Sequence, residues 1–171
     1  LLMDCATDEL TPVEVPPEAW FHVLHSGQQR ELAGSEYATR LAQCERAVEL
    51  VGPLPGADEA AIERIEDPVV RARARHVRGE SRRVEAFAEA LAGGDLVRSG
   101  ALMTESHRSL RDDFEVSTDA LDGLVERLLG TDGVFGARLT GAGFGGCVVA
   151  LTRPGVELDC WRVLPGPGAR L

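Results

Sequence analysis

The sequence predicts an α+β layered fold, and three observations carry that expectation. Apolar residues recur at steps of three and four through the middle of the chain, the period of amphipathic helices. Short apolar runs bounded by turn residues stand on either side: Trp20–His25 before the helical region, Val134–Leu139 and Cys147–Leu151 after it. Helices followed by antiparallel strands imply a helical layer stacked on a sheet. At 171 residues the chain can bury a core and form one domain, or one domain plus a strand belonging to a missing partner.

Residues 1–6 and 20–25 read as short strands, separated by the turn-rich Thr11-Pro12 and Pro16-Pro17 region. A helix is predicted from about Ser35 to Val51. Tyr37, Leu41, Cys44, Val48 and Val51 share one face of it, Ser35 suits the N-cap, and Gly52-Pro53 stops it. Residues 53–58 read as a Pro/Gly linker, and Glu59–Glu66 as a short acidic helix ending before Pro68. A longer helix runs from about Val69 to Ala92, closed by Gly93-Gly94, and another from Leu96 to Leu110. Ser117 is the expected cap of a helix that turns Leu121, Leu124, Val125 and Leu128 inward. Strands 134–139 and 147–151 follow, with a last strand near Trp161-Arg162-Val163.

Composition narrows the function. A net charge of −10 argues against non-specific nucleic-acid binding. No apolar run approaches the roughly 20 residues of a membrane span, and no leader-like segment opens the chain, so a cytoplasmic location is expected. All eighteen basic residues are arginine, which removes a lysine nucleophile, a Schiff base or a phosphate-loop lysine within these residues. Cys5, Cys44, Cys147 and Cys160 have no paired spacing, so they read as reduced, buried thiols rather than zinc ligands or a redox pair.

The stretch Gly136-Ala137-Arg138-Leu139-Thr140-Gly141-Ala142-Gly143-Phe144-Gly145-Gly146-Cys147 crowds five glycines between two apolar runs. Glycines at 141, 143, 145 and 146 accept an entropic cost and gain a backbone that turns sharply and lies close to another surface. Such a loop presents several N–H groups outward, which suits a phosphate or a neighbouring phosphate loop. A glycine-rich hairpin without a ligand satisfies the same pattern.

The neighbours add a resemblance. Upstream stands Leu102-Met103-Thr104-Glu105-Ser106-His107-Arg108-Ser109-Leu110-Arg111-Asp112-Asp113-Phe114-Glu115-Val116-Ser117, then Leu121-Asp122 and Leu124-Val125. The block from Leu102 to Leu151 resembles the C-terminal half of galactokinases, members of the GHMP kinase superfamily, and the glycine stretch looks like that superfamily's third motif. Further matches run from His25-Ser26-Gly27 to Leu32, then Ser35-Glu36-Tyr37, Arg40 and Cys44-Glu45, and Arg73-Ala74-Arg75-His76-Val77 with Glu80, Arg83 and Val84. The superfamily's first motif and its serine- and glycine-rich phosphate loop have no counterpart here. The family's catalytic aspartate would sit just upstream of Leu1. The chain therefore reads as the C-terminal half of a larger enzyme.

The resemblance implies a ferredoxin-like α+β sandwich over residues 18–171, with residues 1–17 ending the N-terminal GHMP domain and contributing one of its strands. It implies ATP- and magnesium-dependent phosphorylation of galactose at the 1-hydroxyl, with the aspartate and the metal ligands upstream. This chain would hold no catalytic or metal-binding residue and would be inactive alone. The implied partners are galactose, ATP and the N-terminal domain. A kinase for N-acetylgalactosamine or arabinose, or a non-catalytic sensor of sugar and ATP, fits the same residues.

Tyr37 opens an amphipathic helix after a strand and a loop, where a hydroxyl and a ring suit a sugar; the resemblance makes it the galactose contact. The bland alternative is a core tyrosine. Thr140, Gly141, Gly143, Gly145 and Gly146 are implied to support the nucleotide site by packing beside the phosphate loop. Arg71, Arg75, Arg78 and Arg82 form one helical stripe, read as a solvated face paired with Glu80 and Glu85. Glu105, Ser106 and His107 are adjacent on a helix and point apart, so they make no triad; His107 reads as a structural hydrogen-bonding residue near the glycine loop. Asp112 and Asp113 have the chemistry to ligate magnesium but read as surface or capping residues, since the resemblance puts the family's magnesium ligand upstream. One departure from the family stands out: Thr152 to Asp159 is too short for the helix usually found before the final strand.

Overall fold

The computed structural model describes residues 1–29 and 34–166, with residue 35 as backbone only. The N-cap expected at Ser35, the stretch from Arg30 to Leu32 and the tail from Pro167 onward lie outside the described residues or side chains. Two strands open the chain, β1 (Leu2–Asp4) and β2 (Glu9–Thr11), paired as an antiparallel hairpin where one strand over 1–6 was expected. The turn is built by Asp4, whose Oδ1 accepts the N–H of Ala6 at 2.8 Å, and by Asp8 at φ 59°. Next come β3 (Trp20–His25), α1 (Gly34–Val51), a 3₁₀ turn at Leu54–Gly56, and α2 (Glu59–Glu63). They are followed by α3 (Pro68–Ala92), α4 (Leu96–Asp112), α5 (Asp119–Leu129), β4 (Val134–Thr140), β5 (Cys147–Thr152) and β6 (Trp161–Val163).

The main sheet has strand order β4-β5-β3-β6 and is antiparallel throughout. Among the described residues all five α-helices fall in the first crossover, between β3 and β4, while β5 reaches β6 through a loop without a helix. Local chemistry sets the helix ends. Asp67 accepts from the N–H groups of Val69 and Val70 at 2.8 and 3.2 Å, with Pro68 at the first helical position of α3. Asp95 caps α4 through Arg98 N–H at 2.9 Å. Thr118, not Ser117, caps α5: its hydroxyl accepts from Leu121 N–H at 3.4 Å, while the Ser117 hydroxyl donates to Asp122. Helix α2 stops at Glu63, short of the expected Glu66, because Ile65 drops into the core and its carbonyl accepts from Arg71 at 2.7 Å.

Strand alternation divides the core. On one face of the sheet Ala137, Leu139, Val148 and Ala150 pack with Leu110, Val116, Leu121, Leu124, Val125 and Leu128. On the other, Leu151 packs with Ala19, Leu91 and Met103, joined by Phe21, Phe87, Phe135 and Val149. A third cluster, centred on Ala47, Ile62, Val70 and Ala74, joins α1 and α2 to α3. Helix α4 crosses the edge strand with main chain against main chain: a Cβ on Gly136 would lie 1.9 Å from the carbonyl oxygen of Gly100. Only glycine at both positions permits that approach.

Two surface expectations need correction. The thiols are free, but Cys5 is exposed and Cys44, Cys147 and Cys160 are half-buried rather than buried, since Cys5 sits at the small two-stranded hairpin. Of the α3 stripe only Arg75 and Arg82 face solvent; Arg71 and Arg78 are half-buried, and the partners lie on and around α2: Arg75 pairs with Glu63, Arg78 with Glu59 and the carbonyl of Ala57, and Arg71 with the carbonyl of Ile65. Glu80 turns inward instead, toward Arg83, Arg138 and Ser106.

Candidate functional site

The glycine segment is a bend clasped between two other loops. Gly141, Gly143, Gly145 and Gly146 all have φ between 82° and 114°. Phe144 joins them at φ 57°, an uncommon conformation for a residue with a Cβ. On one side Phe144 N–H donates to the carbonyl of Val116 at 2.8 Å, and a Cβ on Gly143 would lie 2.2 Å from that same oxygen. On the other, Gly146 N–H donates to the carbonyl of Gln28 at 3.0 Å and its carbonyl accepts from Ser26 N–H at 2.8 Å. A Cβ on Gly145 would meet the carbonyls of Gln28 and Gln29 at 3.0 Å. Thr118 donates to the Gln28 side chain at 2.8 Å, tying the two flanking loops to each other.

Two arginines hold the flanking loop 113–116. Arg73 is only 2% exposed. Its Nε donates to Gln43 Oε1 at 2.8 Å, and its two terminal nitrogens meet the Asp113 carbonyl and the Glu115 carboxylate. The bond from Arg73 holds the Glu115 carboxyl below the usual carboxylate range. Arg40, on α1, donates to the carbonyls of Phe114 and Glu115 at 2.7 and 2.9 Å and lies over the Phe144 ring at 5.9 Å. The loop needs such support, since Glu115 sits at φ 54°. His76 stacks on Phe114 with ring centroids 4.4 Å apart, and burial pushes its pKa down to about 4. Both arginines occur in the sequence match, but only the fold shows that they grip the same loop.

Tyr37 lies on α1 one turn before Arg40 and is 66% exposed, so it is not part of the core these residues form. The predicted face of α1 is split. Cys44, Ala47 and Val51 pack with the α3 cluster, whereas Tyr37, Leu41 and Val48 are uncovered. Thr140 ends β4 opposite Cys147 and lines a cavity of about 350 Å³ with Arg138, Glu80, Arg83 and Ser106. The Glu105, Ser106 and His107 side chains go three ways, as their spacing requires: to Arg98, to Glu80, and to Asp122 with Leu139 N–H. Asp112 pairs with Arg111 and Asp113 closes α4, in line with surface and capping roles. Among the described residues no group of three His, Cys, Asp or Glu side chains comes together to hold a metal ion, and no helix is long and apolar enough to cross a membrane.

Residues 87–159 match the family model described as GHMP kinases C terminal. The chain carries the C-terminal domain of the GHMP kinases, an α+β unit with antiparallel sheets. Within that group it is similar to a galactokinase from Chloroflexus aurantiacus, 47% identical over 161 residues that cover 88% of this chain and 41% of the relative. The crystal structure of Lactococcus lactis galactokinase complexed with galactose superposes with a TM-score of 0.80 at 34% identity, over 88% of this chain and 42% of that one. An L. major mevalonate kinase in complex with R-mevalonate shares the fold alone, with a TM-score of 0.58 at 24% identity over 83% of this chain and 36% of that one. The chain thus spans about two fifths of the length of the galactokinases it matches.

Proposed function

We propose that this chain is the C-terminal portion of a galactokinase, which transfers the γ-phosphoryl group of ATP to the 1-hydroxyl of galactose. The observation that carries the reading is the 47% identity to a galactokinase along nearly all of this chain. A galactose-complexed galactokinase that superposes over the same share of the chain supports the choice of sugar. On this reading the base, the phosphate loop and the magnesium ligands come from residues outside this chain, and magnesium supplies charge neutralisation on the phosphates. The work of these 171 residues is positional. Tyr37 offers an exposed hydroxyl at the start of α1 to a sugar hydroxyl. The bend at Gly141, Gly143, Gly145 and Gly146, with Thr140, gives a fixed main-chain surface against which the phosphate loop seats. The N-terminal domain covers the apolar stripe Tyr37, Leu41 and Val48, and the complete enzyme works in the cytoplasm.

The test is Tyr37→Phe in the complete kinase. It raises the KM for galactose and leaves that for ATP little changed. Equal galactose kinetics in the two enzymes would remove Tyr37 from the sugar site. Residues 1–171 alone release no ADP from ATP and galactose; robust turnover by this segment would overturn the division of labour.

A further inference from the structure

We infer that His107, with Asp122 and Ser117, is a positioning residue that fixes where the glycine bend leaves the sheet. The inference rests on the proposed role of that bend beside the nucleotide. Strand β4 is the edge of the sheet, and an edge strand leaves alternate N–H groups outside the ladder. The N–H of Leu139, two residues before the bend, meets His107 Nδ1 at 3.3 Å. Because that N–H is a donor, Nδ1 is the unprotonated nitrogen and the ring proton sits on Nε2. Nε2 faces Asp122 Oδ1 at 3.2 Å, and the Ser117 hydroxyl donates to the same oxygen. Ser117 follows Val116, whose carbonyl holds Phe144 N–H at 2.8 Å. One chain of polar contacts therefore runs from the strand entering the bend to the loop against which the bend lies.

The surroundings keep this relay in one state. His107 is 3% exposed, and burial lowers its pKa against the opposing pull of Asp122 on α5, with Arg111 on its own helix and Arg138 on β4 also lowering it. The ring is neutral at neutral pH, with its lone pair on the side of the backbone donor. Asp122 selects the tautomer, and the tautomer selects the position of Leu139.

His107→Asn, His107→Gln and Asp122→Asn in the complete kinase test this, read by hydrogen exchange and by kinetics. The asparagine oxygen stands near the place of Nδ1 and keeps the bond to Leu139, whereas the glutamine amide reaches the place of Nε2 and does not. His107→Gln speeds exchange at Leu139 and Phe144 on the order of tenfold, the effect of losing one net hydrogen bond. Gly146, held by Gln28 on the other side, keeps its rate. The same variant raises the KM for ATP while that for galactose stays, and His107→Asn restores most of both effects. Asp122→Asn gives an intermediate loss without touching Leu139 directly. Equal exchange at Leu139 and Phe144 in His107→Gln and the parent, or no difference between the Asn and Gln variants, overturns the inference. Altered exchange with unchanged ATP kinetics upholds the relay and instead refutes the nucleotide role of the bend.

Discussion

Gly143→Ala tests the close packing of the bend, and Gly155→Ala supplies its control. The two glycines share φ 82°, so an added Cβ strains both backbones alike, by about 1–2 kcal/mol. They differ in surroundings. A Cβ on Gly143 would sit 2.2 Å from the Val116 carbonyl oxygen and 2.7 Å from the Val116 Cβ, whereas nothing lies within 4 Å of a Cβ on Gly155. Val116 cannot step aside freely, because it is buried and its loop is pinned by Arg40 and Arg73. Overpacking of that kind adds roughly 1–3 kcal/mol. Gly143→Ala should then cost about 2–5 kcal/mol and Gly155→Ala about 1–2 kcal/mol. For a chain of this size each kcal/mol lowers Tm by roughly 2–4 °C, so the two variants separate in a calorimetric scan. Urea unfolding gives the same order by midpoint. Equal losses at the two sites would mean that the bend is not pressed against Val116, and the argument from close approach would fail.

Three other outcomes follow from the same contacts. Arg73→Met leaves the Asp113 carbonyl and Glu115 without their buried donor and should cost about 2–3 kcal/mol, measured by urea unfolding, with faster amide exchange at Phe144. Gly136→Ala forces a methyl into the Gly100 carbonyl and should cost at least about 3 kcal/mol, whereas Gly56→Ala, where nothing lies within 4 Å, should be close to neutral in the same assay. His76 has its folded pKa lowered from 6.5 to about 4, so the unfolded chain binds the proton more readily between those values. Its contribution is present above pH 6.5 and is lost as pH falls toward 4, about 3 kcal/mol in all. His76→Phe should shrink the drop in stability between pH 7 and pH 4.5 relative to the parent, and an unchanged drop would reject the assignment.

The fold was legible wherever one local rule governed a segment. Trp20–His25 was expected to the residue, because a β-rich run between turn residues permits few other states. Helix α3 was expected to within one residue, since Pro68 starts it and a double glycine ends it. Errors fell where two rules compete. Ser117 and Thr118 both suit an N-cap, and what decides between them is Asp122, which draws off the Ser117 hydroxyl. Glu59–Glu66 has helical composition throughout, but burying Ile65 against α3 ends the helix early. The β1–β2 hairpin was missed because its second strand, Glu9–Thr11, is exposed along its length and shows no alternation to read.

The site was legible as chemistry and opaque as geometry. Glycine spacing announces a main-chain bend, but it cannot say what the bend touches. That answer depends on residues far apart in sequence: Gln28 after β3, Val116 after α4, and the arginines at 40 and 73. Arg73 is the sharpest case. In the sequence it stands among the stripe arginines Arg71, Arg75 and Arg78, which pair with α2 and its flanks, yet it lies two residues out of phase with that stripe and is buried. A helical wheel sets it opposite that stripe but does not say what a buried guanidinium would meet there. What distinguishes it is that loop 113–116 carries a left-handed residue and turns the Asp113 carbonyl and the Glu115 carboxylate toward α3, which call for a donor there. Sequence reading therefore finds residues that act through their own local conformation, and it misses those whose role is to satisfy another segment's backbone.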